Sequence, residues 1–374
     1  MRRIAVITGT RAEWGLLRCV CDAIQARADL SLTLFAGGAH LLPPANTIEE
    51  VRACFPALVQ FEMQRIGESG RLADAAALGR GTQHIAALLQ AMAPDIVVVL
   101  GDRIEAFAGA SAASVGGIRV AHIHGGDRAE GVADEAMRHA ITKLSHLHLA
   151  ATAASAERIR RMGEHAARVH VIGSPAIDAL ASTSALGDAR YEELGRPEFV
   201  FLLHPSGQSA TEECAQAERL IEVATSRGRT LLLSPNSDPG REGIAQAIVQ
   251  RQSKHPTMVR AVPHLERSEF IGLLKRRDVR AIVGNSSAGL IECAALGVRA
   301  LNVGSRQAGR ERASNVMDAP SESVEGIGRA LDALLQSTPS ASHPYGDGHA
   351  GMRAATVLAA ADFEVHSLAK HNAY

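Results

Sequence analysis

The sequence contains few aromatic residues and no long apolar segment. Phe, Trp and Tyr make up 3% of the 374 residues, so the chain offers no series of rings for stacking against nucleic-acid bases. Lysine and arginine total 39 and aspartate and glutamate total 40. This balance argues against binding to nucleic acid or to a membrane surface through bulk charge. Since no run of eighteen apolar residues occurs, we expect no transmembrane helix.

The five cysteines have the spacing of neither a zinc site nor a redox motif. Cys19 and Cys21 are separated by a single residue, and the total is odd. We therefore expect reduced thiols and a cytoplasmic protein. The apolar run Ile4–Ile7 near the N-terminus is too short for a signal peptide.

Short apolar runs that end abruptly in polar or glycine-rich residues recur along the chain. Examples are Ile4–Ile7, Ile96–Leu100, Phe199–Leu203 and Ala281–Val283. Continuous apolar runs without alternation are typical of parallel strands that are covered on both faces. Helical patterns separate the runs, so the sequence predicts an α/β protein with two doubly wound, Rossmann-like domains.

The predicted domains are residues 1–175 and residues 176–374. Serine, glycine and proline cluster within Pro175–Pro197, which indicates a linker. A polar stretch, Ser337–Gly351, precedes a last helix of about 18 residues, with packing against the N-terminal domain as one option for it. Ligands of open α/β sheets bind at the carboxyl ends of the strands. We therefore expect the polar clusters at those ends to face a cleft between the domains.

The segment Ile118–Leu147 combines a predicted strand, a break at Gly125-Gly126 and a predicted helix. Asp134 and Glu135 are four and three residues before Arg138, so all three can share one helix face. Acids held near one cation can take different protonation states, as proton transfer requires, although a surface ion pair is the simpler alternative. His122 and His124 alternate along the strand, but no third metal ligand follows at a defined spacing, so we do not expect a metal site. The segment gathers His122, His124, Asp127, Asp134, Glu135, Arg138 and His139.

Asp102 lies in the motif Gly101-Asp102-Arg103, directly after the predicted strand Ile96–Leu100. A carboxylate at this position can act as a base or can orient a sugar hydroxyl. The alternative is a helix cap combined with a salt bridge.

Two later segments have the composition of anion sites. Gly284–Glu292 joins a strand end to a small-residue loop and a helix start, where backbone N–H groups and serine hydroxyls can bind phosphate. Gly304–Arg312 contains three arginines that could hold a diphosphate. An ordinary serine N-cap and a solvated loop are the respective alternatives. Thr8-Gly9-Thr10-Arg11 lacks the glycine pattern of a dinucleotide site, which argues against NAD.

Taken together, these motifs resemble the UDP-N-acetylglucosamine 2-epimerase family, in its hydrolysing branch that forms N-acetylmannosamine for sialic-acid-type sugars. The resemblance covers nearly the whole chain, and the order and spacing of the motifs carry it. The motifs are Thr8-Gly9-Thr10-Arg11-Ala12-Glu13, Gly38-Ala39-His40, Gly101-Asp102-Arg103, His122-Ile123-His124-Gly125-Gly126-Asp127, Arg138–His146, Pro235-Asn236-Ser237-Asp238, Gly284–Glu292 and Gly304-Ser305-Arg306-Gln307.

The resemblance implies a fold like that of the glycosyltransferase-B enzymes, with UDP held mainly by the C-terminal domain. It implies that a base removes the proton at sugar carbon 2 while UDP leaves carbon 1, and that water then adds to the resulting 2-acetamidoglucal. It assigns the catalytic set to Asp102, His124, Asp127, Asp134, Glu135 and Arg138, and the UDP site to Arg11, Arg103, His204, Asn236, Ser286, Ser287, Glu292 and Arg306.

The resemblance does not identify which acid is the base. It implies no metal, no cofactor, no nucleic acid and no membrane, only a small UDP-sugar substrate and a homodimer or homotetramer. The reversible, non-hydrolysing branch typically has proline at Ala12 and glutamate at His124. Pro43-Pro44 is unusual for the hydrolysing branch, and Asp127 stands where glutamate is common.

Three alternatives remain open. The same chemistry could act on UDP-2,4-diacetamido-2,4,6-trideoxyglucose, on the way to legionaminic acid. A glycosyltransferase of similar fold would need an acceptor other than water. A sugar-nucleotide-binding regulator would bind without turnover.

Overall fold

Two parallel β-sheets, each surrounded by helices, organise the computed structural model. It describes residues 1–43, 46–68, 70–129, 135–236, 238, 240–319, 322–340, 342–364 and 367–373. The chain forms two compact units. It passes to the second after Asp178 and returns to the first at Tyr345, and Arg128 and Ala129 also group with the second unit. Every strand pairing is parallel. The predicted class of two doubly wound α/β domains is confirmed.

The first unit contains a seven-stranded sheet in the order β3-β2-β1-β4-β5-β6-β7. The order reverses between β1 and β4, which is where ligands bind in such sheets. The strands are β1 (Arg2–Thr8), β2 (Leu30–Gly37), β3 (Val59–Phe61), β4 (Ile96–Leu100), β5 (Arg119–Ile123), β6 (Leu147–Ala150) and β7 (Val169–Val171). The helices are α1 (Arg11–Gln25), α2 (Ile48–Cys54), α3 (Arg71–Met92), α4 (Ile104–Val115), α5 (Glu135–Leu144) and α6 (Ala153–Arg161).

The second unit repeats this plan with six strands in the order β10-β9-β8-β11-β12-β13. The strands are β8 (Phe199–Leu202), β9 (Thr230–Leu233), β10 (Val259–Val262), β11 (Ala281–Gly284), β12 (Arg299–Asn302) and β13 (Val316–Asp318). The helices are α7 (Asp188–Glu193), α8 (Ala210–Thr225), α9 (Arg241–Lys254), α10 (Arg267–Leu274), α11 (Ser287–Leu290), α12 (Glu292–Leu296) and α13 (Val324–Gln336).

Helix α1 shows how local sequence sets an element of the first unit. Thr10 is its N-cap, and the Thr10 and Glu13 side chains bond reciprocally to each other's backbone N–H in a capping box. Apolar residues recur at helical spacing, so one face of the helix packs on the sheet. Trp14 on that face meets the Phe55 ring edge-on, with 5.5 Å between the ring centroids.

The last helix, α14 (Ala350–Ala360), packs against α1 in the first unit. The Asp178 carboxylate accepts the first N–H groups of α14, at 2.9 Å from Ala350 N and 2.7 Å from Gly351 N. The predicted length of about 18 residues is wrong, because the helix has 11 residues. It stops before Asp362, whose side chain accepts the Glu364 N–H in a turn.

Among the described residues, no helix combines the length and the apolar character needed to cross a membrane.

Candidate active site

Asp102 and Arg138 form an ion pair at the carboxyl end of β4. Arg138 Nη2 donates a hydrogen bond to Asp102 Oδ2. The Arg138 side chain is 4% exposed and the Asp102 side chain 19% exposed. Arg103 is the N-cap of α4 and makes no side-chain cap bond, so of the alternative for this loop only the salt bridge is present. A buried cation therefore holds a carboxylate that is still partly open to a ligand.

Glu135 begins α5 and lies close to His139. Its Oε1 atom is 3.5 Å from His139 Nε2, and its side chain is 19% exposed. Glu135 therefore places a second partly exposed acid on the helix that carries Arg138. Asp134, the other acid predicted for this helix, lies outside the described residues.

His124 is the centre of a buried hydrogen-bond network after β5. Its Nδ1 atom is 2.7 Å from Asp127 Oδ2, and its Nε2 atom is 3.1 Å from Ser174 Oγ. Ser155 Oγ donates to Asp127 Oδ1 at 2.8 Å. His124 has φ +62°, in the left-handed region that non-glycine residues rarely adopt. Asp127 thus acts here as a partner of His124 and Ser155, not as an exposed acid.

The backbone turn after His124 depends on Gly126. Its φ is +73°, and a Cβ atom there would lie 2.3 Å from the Ser155 carbonyl oxygen. The Gly126 carbonyl oxygen accepts a hydrogen bond from Arg158 Nη1 at 2.7 Å. Only glycine fits this close approach of loop and helix.

His122 is fully buried and connects β5 to the loop that carries Asp102. Its Nε2–H donates to the Gly101 carbonyl oxygen at 2.7 Å, and its Nδ1 atom is 3.2 Å from Thr142 Oγ1. Burial lowers the pKa of His122 to about 3, so the ring is neutral. In the described part of the chain, no cluster of three or more His, Cys, Asp or Glu residues is arranged to hold a metal ion.

Arg11 and Arg103, predicted to contact UDP, belong to the first unit and lie beside acids there. Arg11 Nε is 3.2 Å from Glu50 Oε2. Arg103 Nε is 3.9 Å from Glu105 Oε2. Both arginine side chains are about a quarter exposed. A ligand anion could therefore reach either guanidinium.

Two buried glutamates lie under the loop that follows β1. Glu13 Oε2 accepts the Gly9 N–H at 2.8 Å and the Thr10 N–H at 3.0 Å, and Glu105 is fully buried. Burial and the negative charge of Glu105 raise the pKa of Glu13 to about 8. Glu13 is therefore protonated near neutral pH and supports the loop without adding charge.

In the second unit, His204 is held at the end of β8 by residues that follow two other strands. Its Nδ1 atom accepts the Asn236 N–H at 3.1 Å. The Asn285 side chain accepts from His204 N and donates to His204 O, both at 2.8 Å. Burial, and next the charge of Arg306, lowers the pKa of His204 to about 3. A neutral histidine is suited to hydrogen bonding, not to binding phosphate by charge.

Asn236 and Arg306 meet around Asp238. Asn236 Nδ2 donates to Asp238 Oδ2 at 2.5 Å, and Arg306 Nη2 is 3.9 Å from the same oxygen. Three residues from the ends of β9 and β12 thus form one polar group. Arg312 is a partner of Asp318, at 3.1 Å, so it does not join this group.

The loop after β11 adopts the predicted strand-to-helix geometry. Ser286 is the N-cap of α11 and accepts the Ala288 N–H at 3.4 Å, which is the ordinary capping role. The predicted helix start opens two short helices and not one, since α11 and α12 meet at Ile291 with φ −101° and ψ −69°. Glu292 Oε1 accepts a hydrogen bond from Arg267 Nη1 at 3.1 Å.

The model of a known protein family matches most of this chain. The family model described as UDP-N-acetylglucosamine 2-epimerase matches residues 22–359. The chain belongs to this family. The resemblance inferred from the motifs is confirmed at this level.

Two relatives with assigned names match most of the chain. The UDP-N,N'-diacetylbacillosamine 2-epimerase (hydrolyzing) of Legionella pneumophila is 34% identical over 381 aligned positions and covers 100% of both chains. The UDP-N-acetylglucosamine 2-epimerase of Neisseria meningitidis serogroup B is 33% identical and covers 90% of this chain and 88% of the relative.

Solved structures of the family have the same fold. The UDP-GlcNAc 2-epimerase of Neisseria meningitidis bound to UDP-GlcNAc matches with a TM-score of 0.78, at 18% identity, covering 96% of this chain and 99% of that one. The enzyme of Methanocaldococcus jannaschii in complex with UDP-GlcNAc and UDP matches with a TM-score of 0.79, at 20% identity, covering 95% of this chain and 99% of that one. The expected glycosyltransferase-B-like fold is confirmed.

Several residues that shape these sites were not among the candidates predicted from the sequence. Ser174 follows β7 and Asn285 follows β11, so both lie after strand ends, as the predicted candidates do. Glu13 completes a Thr-x-x-Glu capping box and Glu105 lies in the first turn of α4, but neither pattern indicates burial. Their burial follows from the strand order, which the motifs alone do not determine.

Proposed function

We propose that this chain is a hydrolysing 2-epimerase that converts UDP-N-acetylglucosamine and water into N-acetylmannosamine and UDP. The observation that carries the proposal is the pair of Asp102 with the buried Arg138. Elimination needs a base that is fixed in place and ionised. Family membership supplies the class of substrate.

In this scheme Asp102 removes the proton from sugar carbon 2. The electron pair of that C–H bond forms the double bond to carbon 1, and the bond from carbon 1 to the diphosphate oxygen breaks. The products of the step are 2-acetamidoglucal, UDP and a protonated Asp102. The Arg138 guanidinium favours ionised Asp102 before the step, and its position orients the carboxylate.

Water then adds to the glucal: its oxygen bonds to carbon 1 and an acid delivers a proton to carbon 2. The proton that the water gives up restores this acid, and Asp102 releases its own proton to solvent. Inversion at carbon 2 requires that the proton delivered there arrive on the face opposite to the one that Asp102 deprotonated. A different acid must therefore supply it. Glu135 is the second partly exposed acid among the described catalytic candidates, and we assign this role to it.

We assign UDP binding to the second unit, where His204, Asn236 and Arg306 converge. An arginine, hydrogen-bonding side chains and backbone N–H groups can stabilise the charge of a leaving diphosphate. To Glu292, held by Arg267, we assign the role of accepting hydrogen bonds from ribose hydroxyls. Ser286 and Ser287 offer hydroxyls near the same strand ends.

A second candidate donor is UDP-2,4-diacetamido-2,4,6-trideoxyglucose, which is UDP-N,N'-diacetylbacillosamine. The Legionella relative named for this donor aligns with the whole chain at 34% identity. The reaction at carbons 1 and 2 is the same for both donors. Groups at carbons 4 and 6 decide between them.

UDP release from each donor by the purified full chain tests the proposal. We expect turnover of at least one donor with water as the only co-substrate, and about a hundredfold or larger loss of kcat in Asp102→Asn. Asp29→Asn, which removes an exposed acid paired with Arg27, is the control. Release of UDP only when a sugar acceptor is added would instead indicate a glycosyltransferase. UDP-sugar binding without turnover would indicate a binding protein.

A further inference from the structure

Ser174 and Asp127 occupy both ring nitrogens of His124 inside the first unit. The Ser174 side chain is fully buried, Asp127 is 4% exposed and His124 7% exposed. The network places groups that are 50 residues apart in sequence within 3.1 Å. No motif of the family resemblance includes Ser174.

The directions of the hydrogen bonds in this network indicate which nitrogen of the His124 ring carries a proton. Asp127 is an acid with Oδ2 2.7 Å from Nδ1, so Nδ1 carries a proton and donates it. Ser174 Oγ accepts the Ala176 N–H at 3.2 Å and keeps its own proton, which it can donate to Nε2. The contacts fit the Nδ1-protonated tautomer.

This arrangement leaves neither nitrogen of His124 to a substrate. We propose that Ser174 is a positioning residue, and that His124, held by Ser174 and Asp127, orients the turn after β5 without exchanging a proton with the sugar. This inference rests on the proposed function. It reassigns His124, which the family resemblance placed among the groups that carry out the chemistry.

A physical connection links this turn to Asp102. The Gly101 N–H donates to the Ile123 carbonyl oxygen at 2.9 Å, and Ile123 directly precedes His124. The His122 ring donates to Gly101 O from the same strand. A displaced His124 would therefore move the backbone that carries Asp102. Errors of about 1 Å in such a group can reduce turnover by about a hundredfold.

The conformation of His124 offers a variant that separates the two roles. Asparagine is one of the few non-glycine residues that adopt positive φ. Its amide can donate to Asp127, yet it does not titrate. His124→Asn therefore keeps part of the positioning role and abolishes any proton transfer through this side chain.

Steady-state kinetics on the full chain provide the first arm of the test. For Ser174→Ala we expect kcat to fall about tenfold with KM changed less than about twofold. His124→Asn should retain kcat within about tenfold of wild type, with both limbs of its pH profile. The double variant Ser174→Ala/His124→Ala should be no slower than His124→Ala, because both changes remove one interaction.

Ser145→Ala is the matched control. Ser145 is equally buried in the same unit, and its hydroxyl donates to the Ile141 carbonyl oxygen at 2.7 Å. Its removal should leave kcat unchanged. An unchanged kcat in Ser174→Ala would overturn the proposal, as would additive losses in the double variant. A loss of about a hundredfold or more in His124→Asn together with a missing pH limb would also overturn it.

Nitrogen-15 NMR of the histidine rings provides an arm that needs no turnover. Ser174→Ala should shift the Nε2 resonance of His124, assigned by its absence in His124→Asn, and Ser145→Ala should leave it in place. No shift in Ser174→Ala would refute the contact itself. If neither donor is consumed by wild type, the proposed function fails, whereas this arm still decides the role of Ser174.

Discussion

At the scale of single residues, Arg306 is the cation of the polar group that it forms with Asn236 and Asp238. The Arg306→Ala variant should bind UDP about 10- to 100-fold more weakly, because a charge-assisted contact to phosphate is lost. Isothermal titration calorimetry at fixed salt measures this affinity. Arg329→Ala, on an exposed position of α13, should bind like wild type. Equal affinities for the two variants would contradict the assignment of Arg306 to the UDP site.

Glu13 gives a pH prediction at the same scale. Its pKa of about 8 in the folded chain lies above the ordinary value of 4.5. Between these values the folded chain keeps a proton that the unfolded chain releases. The contribution of this proton to the free energy of unfolding is fully present below about pH 4.5 and is lost as the pH rises through about 8.

The Glu13→Gln variant lacks this titration but keeps a side-chain oxygen for the Gly9 and Thr10 N–H groups. From pH 5 to pH 9, the variant should lose roughly 4 kcal/mol less of its free energy of unfolding than wild type. Urea denaturation at the two pH values measures the difference. Parallel pH dependences in wild type and variant would show that Glu13 ionises normally.

At the scale of elements, the C-terminal segment fastens the end of α5. Lys370 Nζ donates to the Lys143 carbonyl oxygen at 2.8 Å and to the Ser145 carbonyl oxygen at 2.5 Å. It also lies 2.8 Å from Glu164 Oε2. A cation at a helix C-terminus is favourable there. Since α5 begins with Glu135 and carries Arg138, this contact stabilises the helix of the candidate site.

Glu164 is the buried acid that binds Lys370 in this contact. Burial alone would raise its pKa, but hydrogen bonds from His148, Lys143 and Lys370 lower it to about 2. Lys370→Met should therefore reduce the free energy of unfolding at pH 7 by about 1–3 kcal/mol. Urea denaturation tests this, with the exposed Lys254→Met as control. A loss no larger than that of the control would show that the segment does not secure α5.

At the scale of the whole molecule, the strands were the most predictable part. Continuous apolar runs such as Ile4–Ile7 and Ile96–Leu100 became the central strands of a parallel sheet, because burial on both faces leaves a direct trace in sequence. Helix ends were less predictable. The break at Ile291 and the early end of α14 depend on tertiary contacts and turn bonds that periodicity does not record.

The residues of the candidate sites also differ in how well the sequence predicts them. Strand-end position and family motifs selected Asp102, Arg138, His204 and Arg306, and the structure shows each with polar partners. The partners themselves were harder to find, because a pair such as His124 and Ser174 forms only once the strand order is known. A buried serine has no sequence pattern of its own, so its contact had to come from the fold.

The most direct test of elimination followed by hydration is to monitor the reaction in deuterated water by proton NMR. Purified full-length chain and UDP-N-acetylglucosamine should yield UDP and N-acetylmannosamine that carries deuterium at carbon 2, because the acid that delivers the new proton to carbon 2 has exchanged with solvent. The same experiment with the 2,4-diacetamido donor distinguishes the two candidate substrates. Product that retains the original proton at carbon 2, or UDP release with unchanged configuration there, would contradict elimination followed by hydration.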